Sequence, residues 1–194
     1  MTVAPELAIE SEELDLTIPM SGRFFRIRPV EPRDVDALYE IALNPEVSYR
    51  WRYRGFHPTR EKFEADLKAF IFCAMTVTSV KTDEVVGLLI SYYQDPRNMH
   101  AYFGSLFDPK YLKRGVSIEA VLLFCNYLFS TWPFRKLYME ISEFNIELIG
   151  SGKGRNFEVE GRLKDHEFYK GRYWDKLTLA VYRPEHLGGA ARPA

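Results

Sequence analysis

The chain has 194 residues, 46% of them apolar and 15% aromatic, a composition that describes one folded domain with a full core and excludes a disordered chain. A net charge of −1 gives no overall pull toward nucleic acid or an anionic membrane, and no apolar run reaches the length of a bilayer span. Cys73 and Cys125 both sit in apolar patterns and read as buried thiols, and their pattern suggests neither a disulfide framework nor a metal site.

Charge is unevenly placed. Residues 1–100 carry 12 Lys/Arg against 16 Asp/Glu, and residues 101–194 carry 14 against 11. The start has no basic region followed by an apolar one, so no secretory leader is expected and the setting reads as cytoplasmic. Residues 1–21 are acidic and read as a flexible tail. A single domain is expected over 22–184, and the Gly/Ala/Pro-rich residues 185–194 read as a disordered tail.

Phe24–Val30 alternates Phe25 and Ile27 with Arg26 and Arg28, the pattern of a half-buried strand. Pro32 and Asp34 open a helix carrying Val35, Leu38, Ile41 and Ala42, which stops near Asn44-Pro45. Thr59 can cap a second helix, with Phe63, Leu67, Phe70 and Ile71 as its buried stripe. Between the helices, Arg50, Arg52 and Arg54 alternate with Tyr49, Trp51 and Tyr53. Interleaved guanidinium and aromatic groups suit an anionic partner, a phosphate beside a stackable base above all. Equally, the aromatics can cover the core while the arginines stay solvated.

Strands follow at 74–80 and 85–93, joined by a hairpin turn at Lys81–Glu84. Another spans Met99–Phe107, where Gly104 predicts a bulge or a close backbone approach. Asp108-Pro109 ends that strand. A basic loop with Gly115 then leads into a helix whose apolar residues Ile118, Val121, Leu122, Cys125, Leu128 and Phe129 recur at helical spacing. Strand, basic glycine loop and helix N-terminus form an anion site in principle, because free N–H groups point into the loop. Lys113 to Ser117 would supply those groups, with Lys110, Lys113 and Arg114 adding charge. Beyond Trp132-Pro133 come a strand at Lys136–Phe144, a short helical piece at 146–152, and two strands at Phe157–Phe168 and Tyr173–Tyr182 joined through Lys170-Gly171. This is an α/β order with a mixed sheet.

The ordered set of landmarks resembles the GNAT acyltransferase superfamily, nearest its ribosomal-protein N-terminal acetyltransferase branch, over roughly residues 22–183. The landmarks are Arg26-Ile-Arg-Pro29, Gly104, Asp108-Pro109, Gly115 with Glu119-Ala120, Asn145, Phe157 with Glu160-Gly161, and Gly171 before Trp174-Asp175. The resemblance implies a mixed, mostly antiparallel seven-stranded sheet flanked by about four helices. It also implies an N-acyltransferase whose donor is an acyl-CoA, acetyl-CoA first, with no metal. Main-chain groups of Leu106 and Phe107 would pair with the pantetheine arm. Lys113, Arg114, Gly115, Val116 and Ser117 would cradle the pyrophosphate, and Asn145 would stand beside the donor. Arg50, Trp51, Arg52, Tyr53 and His100 fall on the acceptor side.

For the base that takes the amine proton, two carboxylates continue apolar strand faces. Glu167 follows Phe157, Val159 and Leu163, and also matches the position of a proposed base in the resembling branch. Glu143 follows Leu137, Met139 and Ile141. Tyr102 is a further catalytic candidate. The chain departs from the family pattern at the pyrophosphate loop, where only the central glycine is kept. It also carries Leu148 where many relatives have Ser, Gly152 where others have Tyr, and Asn156 where Gly is usual. The leading expectation is acyl transfer to a primary amine of a small molecule or protein, an anionic acceptor being one option. A second reading keeps the fold and takes aminoacyl-tRNA as donor, forming an amide in natural-product biosynthesis. A third is a non-catalytic module binding acyl-CoA or a nucleotide. No membrane partner is expected, and the chain would be a monomer or a homodimer.

Overall fold

Why each element forms is visible in the computed structural model, which describes residues 17–69, 71–112, 116–146 and 157–184. Strand β2 (Phe25–Pro29) buries Phe25 and Ile27 and turns Arg26 and Arg28 to the other face. Arg28 forks onto the buried carboxylate of Asp34 at 2.7 and 2.8 Å, and the same carboxylate accepts from the Thr76 hydroxyl at 2.8 Å. The start of helix α1 (Val35–Leu43) is thereby tied to two strands at once. Helix α2 (Arg60–Lys68) begins where Thr59 Oγ1 accepts from the Lys62 amide. Its expected stripe is shorter than the spacing predicts. Ala69 leaves the helical region at φ −99°, ψ 127°, and Ile71 opens strand β3 (Ile71–Ser79) instead; Phe70 lies outside the described residues.

Strands β4 (Val85–Asp95), β5 (His100–Phe107) and β6 (Lys136–Ser142) follow, with α3 (Pro109–Leu112), a single turn, and α4 (Ser117–Thr131) between the last two. Strands β7 (Glu158–Tyr169) and β8 (Arg172–Tyr182) form the closing hairpin, turned by Lys170 at φ 50° and Gly171 at φ 77°. With β1 (Met20–Ser21) at its edge, the sheet order is β1-β2-β3-β4-β5-β6-β8-β7, and only β5 and β6 run parallel among these neighbours. Helix α4 packs one face over Phe25, Phe103, Phe107, Leu137 and Met139, while α1 and α2 cover the other over Leu88, Ile90 and Leu106. The α/β class and the mostly antiparallel sheet stand as expected, with eight strands in place of seven.

The extra strand is β1 (Met20–Ser21), paired with Ile27 and Arg26, and Met20 is fully buried. Residues 20 and 21, expected in the tail, therefore belong to the sheet; residues 1–16 and 185–194 lie outside the described residues. Gly104 makes no bulge. It pairs in register with Ile90, and the irregularity falls between Tyr92 and Asp95. On β7, Val159 and Leu163 are each 47% exposed, because this is an edge strand whose register slips twice, at Val159/Gly161 and at Leu163/Glu167. The apolar face that placed Glu167 by alternation does not exist. Strand β6 ends at Ser142, and Glu143–Asn145 form a 3₁₀ turn, so Glu143 is off the strand altogether.

Candidate active site

Strands β5 and β6 pair only from His100–Lys136 to Tyr102–Tyr138. Both continue beyond that point, β5 to Phe107 and β6 to Ser142, with no further ladder between them. Two parallel strands that separate leave main-chain groups facing each other across a gap, and such groups need partners. The gap widens into a cavity of about 480 Å³, a size that holds a small ligand.

Each wall has a distinct chemistry. Leu106, Phe107 and Leu112 meet Ser117, Ile118 and Val121 of α4 at one end. Val116 caps α4 in helical conformation, so the first-turn N–H groups of this 15-residue helix lie beside the cavity. Glu119, in the same turn, is already engaged: its carboxylate accepts from the amides of Arg23 and Phe24. It ties the β1–β2 turn to the helix start. Lys113, Arg114 and Gly115 of the expected pyrophosphate cradle lie outside the described residues.

The opposite end is roofed by residues 44–56. The segment winds through consecutive turns, Arg50 N to Val47 O at 2.8 Å and Arg54 N to Trp51 O at 3.0 Å, and closes with Arg54 at φ 49° and Gly55 at φ 87°. Trp51 is buried and its ring lies over Gly104, where an added Cβ would sit 3.6 Å from Cζ3. The three arginines all line the cavity, yet they are not alike. Arg50 donates to Asn145 Oδ1 at 2.7 Å and to the Glu46 carbonyl at 3.1 Å. Arg54 pairs with Glu167 Oε1 at 2.9 Å and donates to Ser142 Oγ at 3.2 Å. Arg52 has neither a hydrogen bond nor an ion pair among the described residues, and lies 5.8 Å from the Tyr53 ring centroid. Tyr53 faces away, toward Phe63 and the Asp66 carboxylate at 3.0 Å, and lines no part of the cavity.

Of the expected catalytic residues, none stands in the cavity wall. Glu167 sits in a separate niche of about 130 Å³ with Tyr49, Phe144, Phe168 and Tyr169, behind Arg54, and its Oε2 is buried without a partner among the described residues. Glu143 is half-exposed and receives Arg162 Nη2 at 2.8 Å. Tyr102 lies where β5 and β6 are still paired, packed against Tyr92 and Tyr138 at 6.0 and 5.3 Å between centroids. His100 packs edge-on against Tyr138, with Nε2 3.7 Å from Asp95. Leu106, Phe107, Ser117, Asn145, Arg50, Trp51 and Arg52 do come together around one space.

One functional candidate was missed. Glu140 is the single carboxylate among the described lining residues, and Lys176 Nζ lies 2.6 Å from its Oε2. Alternation puts it with Lys136 and Tyr138, opposite Leu137, Met139 and Ile141, which reads as a solvent face. The separation of β5 from β6 turns that face into a cavity wall. Its charge reaches Tyr92, whose hydroxyl is pushed up to about 12 by burial first and by Glu140 second.

The description "Acetyltransferase (GNAT) domain" matches residues 25–149. An L-amino acid N-acetyltransferase of Escherichia coli strain K12 is 30% identical over 157 residues, 79% of this chain and 95% of that one. The spermidine N(1)-acetyltransferase of the same strain is 22% identical over 182 residues, 89% and 94% of the two chains. Among solved structures, spermidine N-acetyltransferase from Vibrio cholerae, in complex with CoA and spermine, superimposes with a TM-score of 0.74 at 17% identity, covering 84% of this chain and 98% of that one. The ribosomal L7/L12 alpha-N-protein acetyltransferase RimL, in complex with coenzyme A, gives 0.71 at 16% identity, with 83% and 95% covered. The chain belongs to the GNAT acetyltransferase family.

Proposed function

We propose that the protein moves an acyl group, acetyl in the first instance, from coenzyme A to a primary amine. The observation that carries this reading is the unzipping of the β5–β6 pair after Tyr102 and Tyr138, beside the start of α4. The β5 main chain from Ser105 to Phe107, whose Ser105 and Phe107 groups point away from β4, suits the amides of a pantetheine arm. First-turn N–H groups of α4 near Val116 and Ser117 suit a pyrophosphate. The donor supplies an activated thioester carbonyl; the chain supplies position and proton transfer.

In this reading the amine nitrogen attacks the thioester carbon and Glu140 takes the proton it sheds. The C–S bond breaks as the amide forms, and the departing thiolate takes a proton from water. Main-chain N–H groups on the β6-facing edge of β5 stabilise the oxyanion. Glu140 is favoured over Glu167 and Glu143 because it alone of the three lines the cavity. Arg50 and Arg54 are engaged within the protein, which supports a compact donor over a tRNA.

Calorimetry with acetyl-CoA, and CoA release in the presence of amines, test the proposal together. Glu140→Gln is expected to lower turnover by about 10²-fold or more while acetyl-CoA affinity changes little. A protein that binds no acyl-CoA and releases no CoA with any amine would overturn it.

A further inference from the structure

The acceptor end is built from arginines, and their partners decide what it can hold. Arg50 and Arg54 are occupied by Asn145, the Glu46 carbonyl, Glu167 and Ser142. Arg52 lines the same cavity, is exposed, and makes no hydrogen bond or ion pair among the described residues, its charge reaching Asp66 only at longer range. Asp66, the acid nearest in the helix below, is held by Lys62 and the Tyr53 hydroxyl. Of the carboxylates near this end, Glu140 pairs with Lys176, and Glu167 lies outside the cavity with its Oε1 on Arg54. A polyamine entering here would meet one free guanidinium and no unpaired carboxylate among the described lining residues. Cation–cation approach in a partly desolvated cleft is unfavourable.

From this we infer that the acceptor carries an acid group, carboxylate or phosphate, close to its amino group, and that Arg52 receives that group. The inference rests on the acyltransfer reading above and sets the specificity of the same site. A guanidinium with all its donors available offers a forked, charge-assisted contact to either acid. The Tyr53 ring beneath it limits the orientations lost on binding. Glu140, Tyr92 and Arg52 line the same cavity. An amine at Glu140 and an acid at Arg52 would thus belong to one molecule held in that cavity. The spermidine acetyltransferases among the relatives would differ from this chain in acceptor while sharing its fold.

The test uses the full chain with acetyl-CoA and four acceptors: leucine, isopentylamine (the same skeleton without the carboxylate), 2-aminoethyl phosphate and spermidine. We expect kcat/KM for leucine or for aminoethyl phosphate to exceed that for isopentylamine and spermidine by about 10-fold or more, and the better of the two identifies the acid. In Arg52→Gln that ratio should collapse about 10-fold through KM, and Arg52→Lys should restore part of it, since charge returns without the fork. Thermal melting of each variant reports that the fold is kept. Preference for spermidine or isopentylamine, or an Arg52→Gln effect equal for all acceptors, would overturn the inference and leave the acyltransfer reading standing. Absence of CoA release with every amine, together with no acetyl-CoA binding, would overturn both.

Discussion

Asp34 shows how a single side chain can be decided by its partners. Burial alone would push its carboxyl up. The Arg28 fork, the Glu31 amide and the Thr76 hydroxyl hold it below the usual carboxylate range instead. Its charged form is favoured in the fold, so it contributes stability above an ordinary carboxylate pKa of about 4, and that contribution is lost as pH falls through the lowered value. Urea unfolding at pH 7 and pH 3 should show a drop that is smaller in Asp34→Asn. Asp34→Ala should cost about 3 kcal/mol at pH 7 by leaving Arg28 uncompensated. Equal pH sensitivity in Asp34→Asn and the parent would place the acid response elsewhere. Glu167 has a different kind of partner. It is tied to Arg54 outside the cavity, so Glu167→Gln should leave turnover within a few-fold while Glu140→Gln does not. A loss of about 10²-fold in Glu167→Gln, with full activity in Glu140→Gln, would reverse the assignment of the base.

Among the elements, β4 and β5 fix the shape of the wedge. Gly87 pairs across from Phe107, and an added Cβ there would stand 2.5 Å from the Leu106 carbonyl oxygen, a backbone atom that cannot swing aside. Gly104 is open by comparison, its nearest neighbours at 3.6 Å. Gly87→Ala should therefore destabilise by about 1–3 kcal/mol and weaken acetyl-CoA affinity by displacing Leu106 and Phe107, whereas Gly104→Ala should change stability by less than about 1 kcal/mol. Chemical denaturation and calorimetry on the two variants check this, and equal effects would mean the close approach is dispensable. The same elements show what pattern can and cannot convey. Helix α4 is legible because its apolar spacing spans four turns, and β2 because its two faces differ in kind. Strand β1 is two residues long, too short for any period, yet it buries Met20. Glu143 and Glu167 were placed by counting alternate residues, and a 3₁₀ turn and a register slip each broke the count. Glu140 was hidden for the opposite reason. Its position was counted correctly, but the parting of two strands is a tertiary event that no strand records in its own residues.

For the whole molecule, the charge imbalance between chain halves has a definite resolution in space. The arginine segment comes from the acidic half, and it folds onto the β6 end and the β7 strand of the basic half through Arg50–Asn145 and Arg54–Glu167. Two of the three arginines that suggested a polyanion are thus consumed in holding the roof to the sheet. A tRNA donor would have to release counterions through several protein–phosphate contacts, with about 0.7–0.9 log units of affinity lost per tenfold rise in salt for each phosphate neutralised. An acyl-CoA held by main-chain N–H groups and a small number of side chains should lose much less. Measured by calorimetry between 50 and 200 mM salt, acetyl-CoA affinity should fall by less than about 10-fold, and deacylated tRNA should bind only weakly, with a slope no steeper than about two. Arg50→Gln should then lower the melting temperature, because it unfastens the roof, and leave that slope unchanged. If Arg50→Gln instead keeps its melting temperature and flattens a steep tRNA slope by about one unit, Arg50 is a phosphate ligand and the donor is a nucleic acid carrier.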